Sequence, residues 1–285
     1  MTIALQDGDA RVLIEPRIGG AIAAYSMSGR DILRPALPQA AHPAGMSCFP
    51  LVPFANRIAY GIFAWQGRII QLHPNFAPDP HAIHGQGWLS AWQIAEQKPA
   101  RAVLVFAHEP GEWPWAYRAT LDYSLDRDGL HAKLSLTNGS DAAMPASLGF
   151  HPYFPHRRQS RLEAVVDGMW RTDKTLIPTV LAAPILDFAK GAALATAPLI
   201  DNCFTHWGRS ALIDQPGGRT VLRADADFLQ IYIPEEEDYF CVEPATAMPD
   251  AVHRVESAKE TGLLALAPGA TVSLSMTITA GDSTS

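Results

Sequence analysis

Residues 271–279 alternate strictly: Val272, Leu274, Met276 and Ile278 are interleaved with Thr271, Ser273, Ser275 and Thr277. Successive side chains of an extended chain point to opposite faces, so a period of two builds a strand with one dry face and one wet face. The same period runs through Tyr117–Leu125 and Leu130–Leu136. Between them lies Asp126-Arg127-Asp128-Gly129, whose Asp-Gly step predicts an antiparallel hairpin with a four-residue loop. Further strands are expected at Arg11–Ile14, Arg68–Leu72, Ala102–Ala107, Thr220–Arg223, Phe228–Ile233 and Phe240–Glu243. No segment sustains the i, i+3, i+4, i+7 apolar stripe of a helix. The Ala-rich stretch Phe188–Ala197 is broken by Gly191 and followed by Pro198. At roughly 150 residues per domain, 285 residues would make two domains, but all-β sandwiches reach about 250 as one. Without a low-complexity linker, a fixed repeat or strand–helix alternation, the expectation is a single all-β domain over residues 1–285, a large antiparallel β-sandwich.

Charge narrows the partners. There are 22 Lys and Arg against 29 Asp and Glu, a net −7, and no basic run longer than Arg157-Arg158. A phosphate backbone or an anionic membrane calls for a basic face, so neither nucleic acid nor membrane is an expected partner. No apolar run approaches the ~18–20 residues that span a bilayer, and the start lacks a basic, then apolar, signal segment. Cys48, Cys203 and Cys241 are odd in number and widely spaced, which predicts reduced, buried thiols in a cytoplasmic protein.

Four segments break the alternation and mix polar with aromatic residues. In Pro50–Ile58, two prolines pin an extended path into Asn56-Arg57, where the arginine offers a five-donor fork to ligand oxygens. In Ala82–Trp92, His84 is followed by Gly85 and Gly87, expected to let backbone approach a ligand closely. Trp88 and Trp92 there supply flat apolar faces on which a sugar ring could lie. In Leu148–Phe154, His151 sits between Phe150 and Pro152, oriented and partly desolvated as a proton donor should be. In Tyr239–Thr246, Glu243 ends an apolar run, where a carboxylate is costly unless paired, and burial would raise its pKa. Zinc-ligand spacings, a nucleophile elbow, a Walker A loop and a dinucleotide fingerprint are all missing, so no metal and no cofactor is expected.

Taken in order, Asn56-Arg57, His84-Gly85, Gly149–Phe154, the Ile200-Asp201-Asn202-Cys203-Phe204 stretch and Glu243-Pro244 resemble the aldose 1-epimerase (galactose mutarotase) family across roughly residues 15–279. The resemblance implies the galactose mutarotase-like supersandwich. It also implies an isomerase of carbohydrate metabolism that interconverts the anomers of a free aldose, acting as a monomer or homodimer. By the same resemblance His151 is the acid, Glu243 the base, and Asn56, Arg57, His84 and Asp201 hold the small-molecule sugar, with Trp88 as an apolar wall. The His84-Gly85-Gln86-Gly87-Trp88 stretch is shorter than in many galactose mutarotases, a departure that bears on the preferred sugar.

Anomerisation opens the ring: a base takes the proton of the anomeric hydroxyl while an acid protonates the ring oxygen, and two groups on opposite sides of the C1–O5 bond would suffice. Three alternatives compete. A hexose-6-phosphate epimerase of the same fold resembles this chain but needs an arginine after the His-Gly pair, and residues 86–92 contain none. A non-catalytic carbohydrate-binding sandwich leaves His151 and Glu243 without a purpose. A glycosidase could take Asp201 and Glu243 as its two carboxylates but leaves His151 idle.

Overall fold

The computed structural model describes residues 1–281 of the chain. Its largest sheet has nine strands, ordered Gln93–Lys98, Arg101–His108, Tyr117–Asp126, Gly129–Asn138, Thr271–Gly281, Gly218–Ala224, Ser210–Gln215, Arg161–Ala164 and Ala192–Ala193, paired antiparallel throughout. The predicted alternation sets its register: Leu121, Leu134 and Leu274 stand side by side on neighbouring strands, all fully buried. The hairpin is tighter than expected. Asp126 pairs with Gly129, leaving a two-residue turn at Arg127-Asp128, because the Asp126 carboxylate accepts from the Asp128 amide (2.8 Å) and Gly129 takes a φ of +119°.

A second, eight-stranded antiparallel sheet runs Pro178–Ala182, Gly168–Thr172, Ile200–Thr205, Phe228–Ile233, Tyr239–Ala245, Gly149–Phe150 and Pro50–Leu51, with Tyr153–Pro155 also pairing against Tyr239–Ala245. Ile231, Phe240 and Val242 of this sheet join Leu121, Leu134 and Leu274 of the first in one buried cluster, which is the core of the sandwich. A smaller antiparallel sheet, Ile3–Asp7 to Arg30–Asp31, adds Ile3, Val12 and Tyr25 to that core. Helix is scarce, as the missing stripe implied: the one α-helix among the described residues is Ala258–Thr261, capped by Ser257 and Glu260. The Phe188–Ala197 stretch forms a 3₁₀ turn and a two-residue strand. No helix among the described residues is long and apolar enough to cross a membrane. All three cysteines are free and buried.

The second sheet positions the site. Along Tyr239–Ala245 the period of two sends Phe240 and Val242 into the sandwich core and turns Tyr239, Cys241 and Glu243 the other way. That outer face is covered by the segments around Phe49, Trp88 and Tyr153, which form a second buried cluster with Cys203 and Cys241.

Candidate active site

A cavity of about 420 Å³ opens over this face, lined among others by Asn56, Arg57, His84, Trp88, His151, Asp201 and Glu243. These seven of the residues singled out in the sequence therefore meet in one place. The volume falls in the range of small-molecule sites.

Glu243 is the floor. Its side chain is 3% exposed and its Oε1 lies 3.2 Å from Nε2 of His151. The two groups thus sit side by side, not on opposite sides of a bond as expected from the chemistry alone. By contact this is an ion pair, but burial penalises both charged forms. It holds the Glu243 carboxyl well above the usual carboxylate range, with Asp201 adding to the rise and Arg57 opposing it. It drives the His151 imidazole down to about 3, helped by Arg34 and Arg57. Imidazolium with carboxylate and imidazole with carboxylic acid contain the same single proton, so the pair titrates as a unit and burial favours its neutral form. Nδ1 of His151 is buried without a hydrogen-bond partner, while Nε2 faces Glu243.

His84 is a different kind of histidine. Its Nδ1 accepts the Asn56 amide (3.2 Å) while its own amide donates to the Asn56 carbonyl (2.9 Å). Asn56 and His84 both hold the sparsely populated left-handed backbone, at φ +59° and +61°, and the reciprocal bonds fix it. Burial, with His151 and Arg57 nearby, holds this imidazole well below its ordinary value. It is therefore a neutral ring whose Nε2–H is the free donor.

Arg57 is held as well as placed. Its Nε donates to Asp79 (2.8 Å), its Nη2 lies 3.6 Å from Asp201, and the Asn56 side-chain oxygen accepts from its amide (2.9 Å) and from Nη1 (3.3 Å). Asp201, raised by burial against the pull of Arg57, takes a 2.5 Å hydrogen bond from Gln230. Gln230 stands opposite Glu243 in the strand register, and its side-chain oxygen is buried without a hydrogen-bond partner.

Two expectations for the His84 segment are corrected. Trp92 is no part of the cavity: its indole donates to the Gly87 carbonyl (2.9 Å) and packs on Phe106 in the core. Gly85 and Gly87 serve chain packing. A Cβ on Gly85 would sit 2.3 Å from the Val52 carbonyl oxygen, and one on Gly87 2.3 Å from a Val52 methyl, so both glycines let the loop lie directly on Val52-Pro53. Trp88 lines the cavity but is 1% exposed, stacked on Phe49 and edged by His42, Phe76 and His84. The open aromatic face at the mouth belongs to Phe76, 38% exposed.

Sequence reasoning passed over Phe49, Asp79, Tyr232, Tyr239 and Gln230. Gln230 did carry a signal, a lone amide in the apolar run Phe228–Ile233 with Tyr232 two residues on, hence on the same face. Asp79 carried none, since it reaches Arg57 from a loop 22 residues away. One grouping among the described residues brings metal-ligating atoms together, His151, Cys241 and Glu243 within 4.8 Å. Burial and the nearby Glu243 hold the Cys241 thiol well above its ordinary value, and it is the thiolate, not the thiol, that ligates metal.

Residues 1–279 match the aldose 1-epimerase family. The chain is 34% identical over 274 residues to the uncharacterised Escherichia coli K12 protein YphB, covering 91% of this chain and 92% of YphB. Among solved structures it resembles a candidate aldose 1-epimerase from Escherichia coli K12 (TM-score 0.89, 31% identity, 99% of both chains). A galactose mutarotase-like protein from Clostridium acetobutylicum shares the fold (TM-score 0.88, 22% identity, 98% of this chain and 94% of that one).

The packing role of Gly85 is testable. Gly85→Ala should cost about 2 kcal/mol or more of stability in urea denaturation, because the new Cβ meets backbone and the +73° φ strains any side chain. Unchanged stability with weakened sugar affinity alone would return the glycine to the ligand-approach role.

Proposed function

The chain belongs to the aldose 1-epimerase family, and from that premise we propose that it interconverts the α and β anomers of a free aldose at the His151–Glu243 pair. The observation that carries this reading is the contact between two buried ionisable groups, His151 Nε2 and Glu243 Oε1, 3.2 Å apart. O1 and O5 of a pyranose are both bonded to C1, so one edge of the sugar presents both oxygens to the pair at once.

The steps balance without any other reactant. With imidazolium and carboxylate facing the sugar, Glu243 takes the O1 proton, the C1–O1 bond becomes a carbonyl, the C1–O5 bond breaks, and His151 Nε2 gives its proton to O5. The pair is left as imidazole and carboxylic acid, the form that burial favours, so the environment assists ring opening. Rotation about C1–C2 turns the other carbonyl face to the O5 hydroxyl. Closure returns the O5 proton to Nε2 and the Glu243 proton to O1, which restores the starting pair. Arg57 and the fixed Nε2–H of His84 donate to sugar oxygens, while Asp201 accepts from a hydroxyl.

The same lining argues for a neutral sugar. Arg57 is the one arginine on the cavity wall, it is already paired with Asp79 and Asp201, and Asp201 and Glu243 are carboxyls. A phosphate dianion needs concentrated, unspent positive charge.

Polarimetry of freshly dissolved α-D-glucose, α-D-galactose and L-arabinose should show accelerated mutarotation with at least one sugar. His151→Asn and Glu243→Gln should each lower kcat at least about 10²-fold, with KM changing less. Near-normal turnover in Glu243→Gln would move the base elsewhere, with Asp201 next in line. Side by side, free glucose should exceed glucose 6-phosphate in kcat/KM by at least ~10-fold, about 1.4 kcal/mol. A preference for the phosphate would overturn the neutral-sugar assignment.

A further inference from the structure

The His151 imidazole packs against two near-parallel aromatic rings, Phe49 and Tyr153, whose own centroids lie 6.3 Å apart. Phe49 stacks on it at 4.6 Å between ring centroids, with 25° between planes, and Trp88 backs Phe49 at 5.3 Å. Tyr153 stacks on it too, at 4.7 Å and 22°. Tyr153 in turn carries a cation: the Arg34 guanidinium lies 4.0 Å over the Tyr153 ring and 4.7 Å from that of Tyr239. Arg34 is anchored by donating from Nη2 to the carbonyls of Met46 (2.6 Å) and Ala44 (3.3 Å), and from its amide to the Tyr153 carbonyl (2.8 Å). Its Nε is buried without a partner, and no carboxylate among the described residues lies within ion-pair distance of it.

Among the ionisable groups around His151, Arg34 is the cation with no carboxylate in contact among the described residues. Glu243 shares the proton, and Arg57 is matched by Asp79 and Asp201. Burial keeps His84 neutral and the thiols of Cys48 and Cys241 protonated. Tyr153 and Tyr239 are likewise held as neutral phenols.

We propose that Arg34 is a positioning residue for the acid–base pair, fixing the imidazole plane through Tyr153 and setting a cation without a carboxylate partner on the far side of that ring. The inference rests on the acid–base reading above. Planar stacking needs the flat guanidinium, whereas the charge effect needs only a cation, so two substitutions separate them. Desolvation is the larger cause of the low proton affinity of His151, and the Arg34 charge acts in the same direction.

The test is NMR titration of the His151 imidazole, with kcat measured against pH, in the full chain and in Arg34→Met and Arg34→Lys. Removing the cation favours every proton-bearing form, so in Arg34→Met the pair should titrate about half a pH unit or more higher, and both limbs of the kcat profile should move upward. Arg34→Lys keeps the charge and should titrate as the parent does, while kcat falls about 3- to 10-fold because the stack loosens. A folded Arg34→Met with parental titration overturns the electrostatic half, and a folded Arg34→Lys with parental kcat overturns the stacking half. A merely structural role would lower the melting temperature and raise KM without moving the titration. If the parent chain accelerates no mutarotation, the proposed function falls, yet the titration still decides the Arg34 proposal.

Discussion

Placing a carboxyl group out of water costs several kcal/mol if it is ionised, and the same holds for an imidazolium. Glu243 and His151 are both enclosed and face each other across 3.2 Å, and burial pushes the pair toward its neutral form. The neutral and charged arrangements contain the same atoms, so the pair can pass between them without exchanging a proton with solvent. Around it the remaining groups fall into consistent roles. Asp201 raises Glu243 further, Arg57 is restrained between two carboxylates, and His84 is locked as a neutral donor by its exchange of hydrogen bonds with Asn56.

Such a pair needs a scaffold that does not relax around it. The eight-stranded sheet supplies one, because Val242 and Phe240 are committed to the sandwich core and their neighbours Glu243 and Tyr239 must face the cavity. A one-residue slip would put Glu243 in the core and Val242 in the site, which the core packing forbids. The covering loops use backbone that few residues adopt, with Asn56 and His84 left-handed and Gly85 resting on Val52. Strain of this kind persists where the surroundings over-determine it, and here it aims His84 and Arg57 into the same space.

What could be read from the sequence followed physical range. Strands with one wet and one dry face are written in their own residues, so Tyr117–Leu125, Leu130–Leu136 and Thr271–Thr279 were legible. The sheet partners, such as Leu134 beside Leu274 across 140 positions, were not. The site residues were legible because a buried glutamate and an aromatic-flanked histidine are locally costly, and because five motifs kept the order of a known family. Trp92 and Gly87 could not be placed, since a tryptophan beside a glycine reads the same whether it faces a ligand or the core. Asp79 and Arg34 act from distant loops, and only the folded chain shows that one restrains Arg57 and the other lies over the Tyr153 ring that packs on His151.

The central claim is that Glu243 holds a proton in the free protein when ordinary glutamates have lost theirs. Infrared difference spectroscopy on chain with ¹³C-labelled glutamate, with Glu243→Gln as the reference, reads this directly at pH 7. The account predicts a protonated-carboxyl C=O band that the substitution removes and that persists to pH values well above the ordinary glutamate value of about 4.3. A Glu243 that is fully ionised at pH 7, facing a neutral His151, would contradict it.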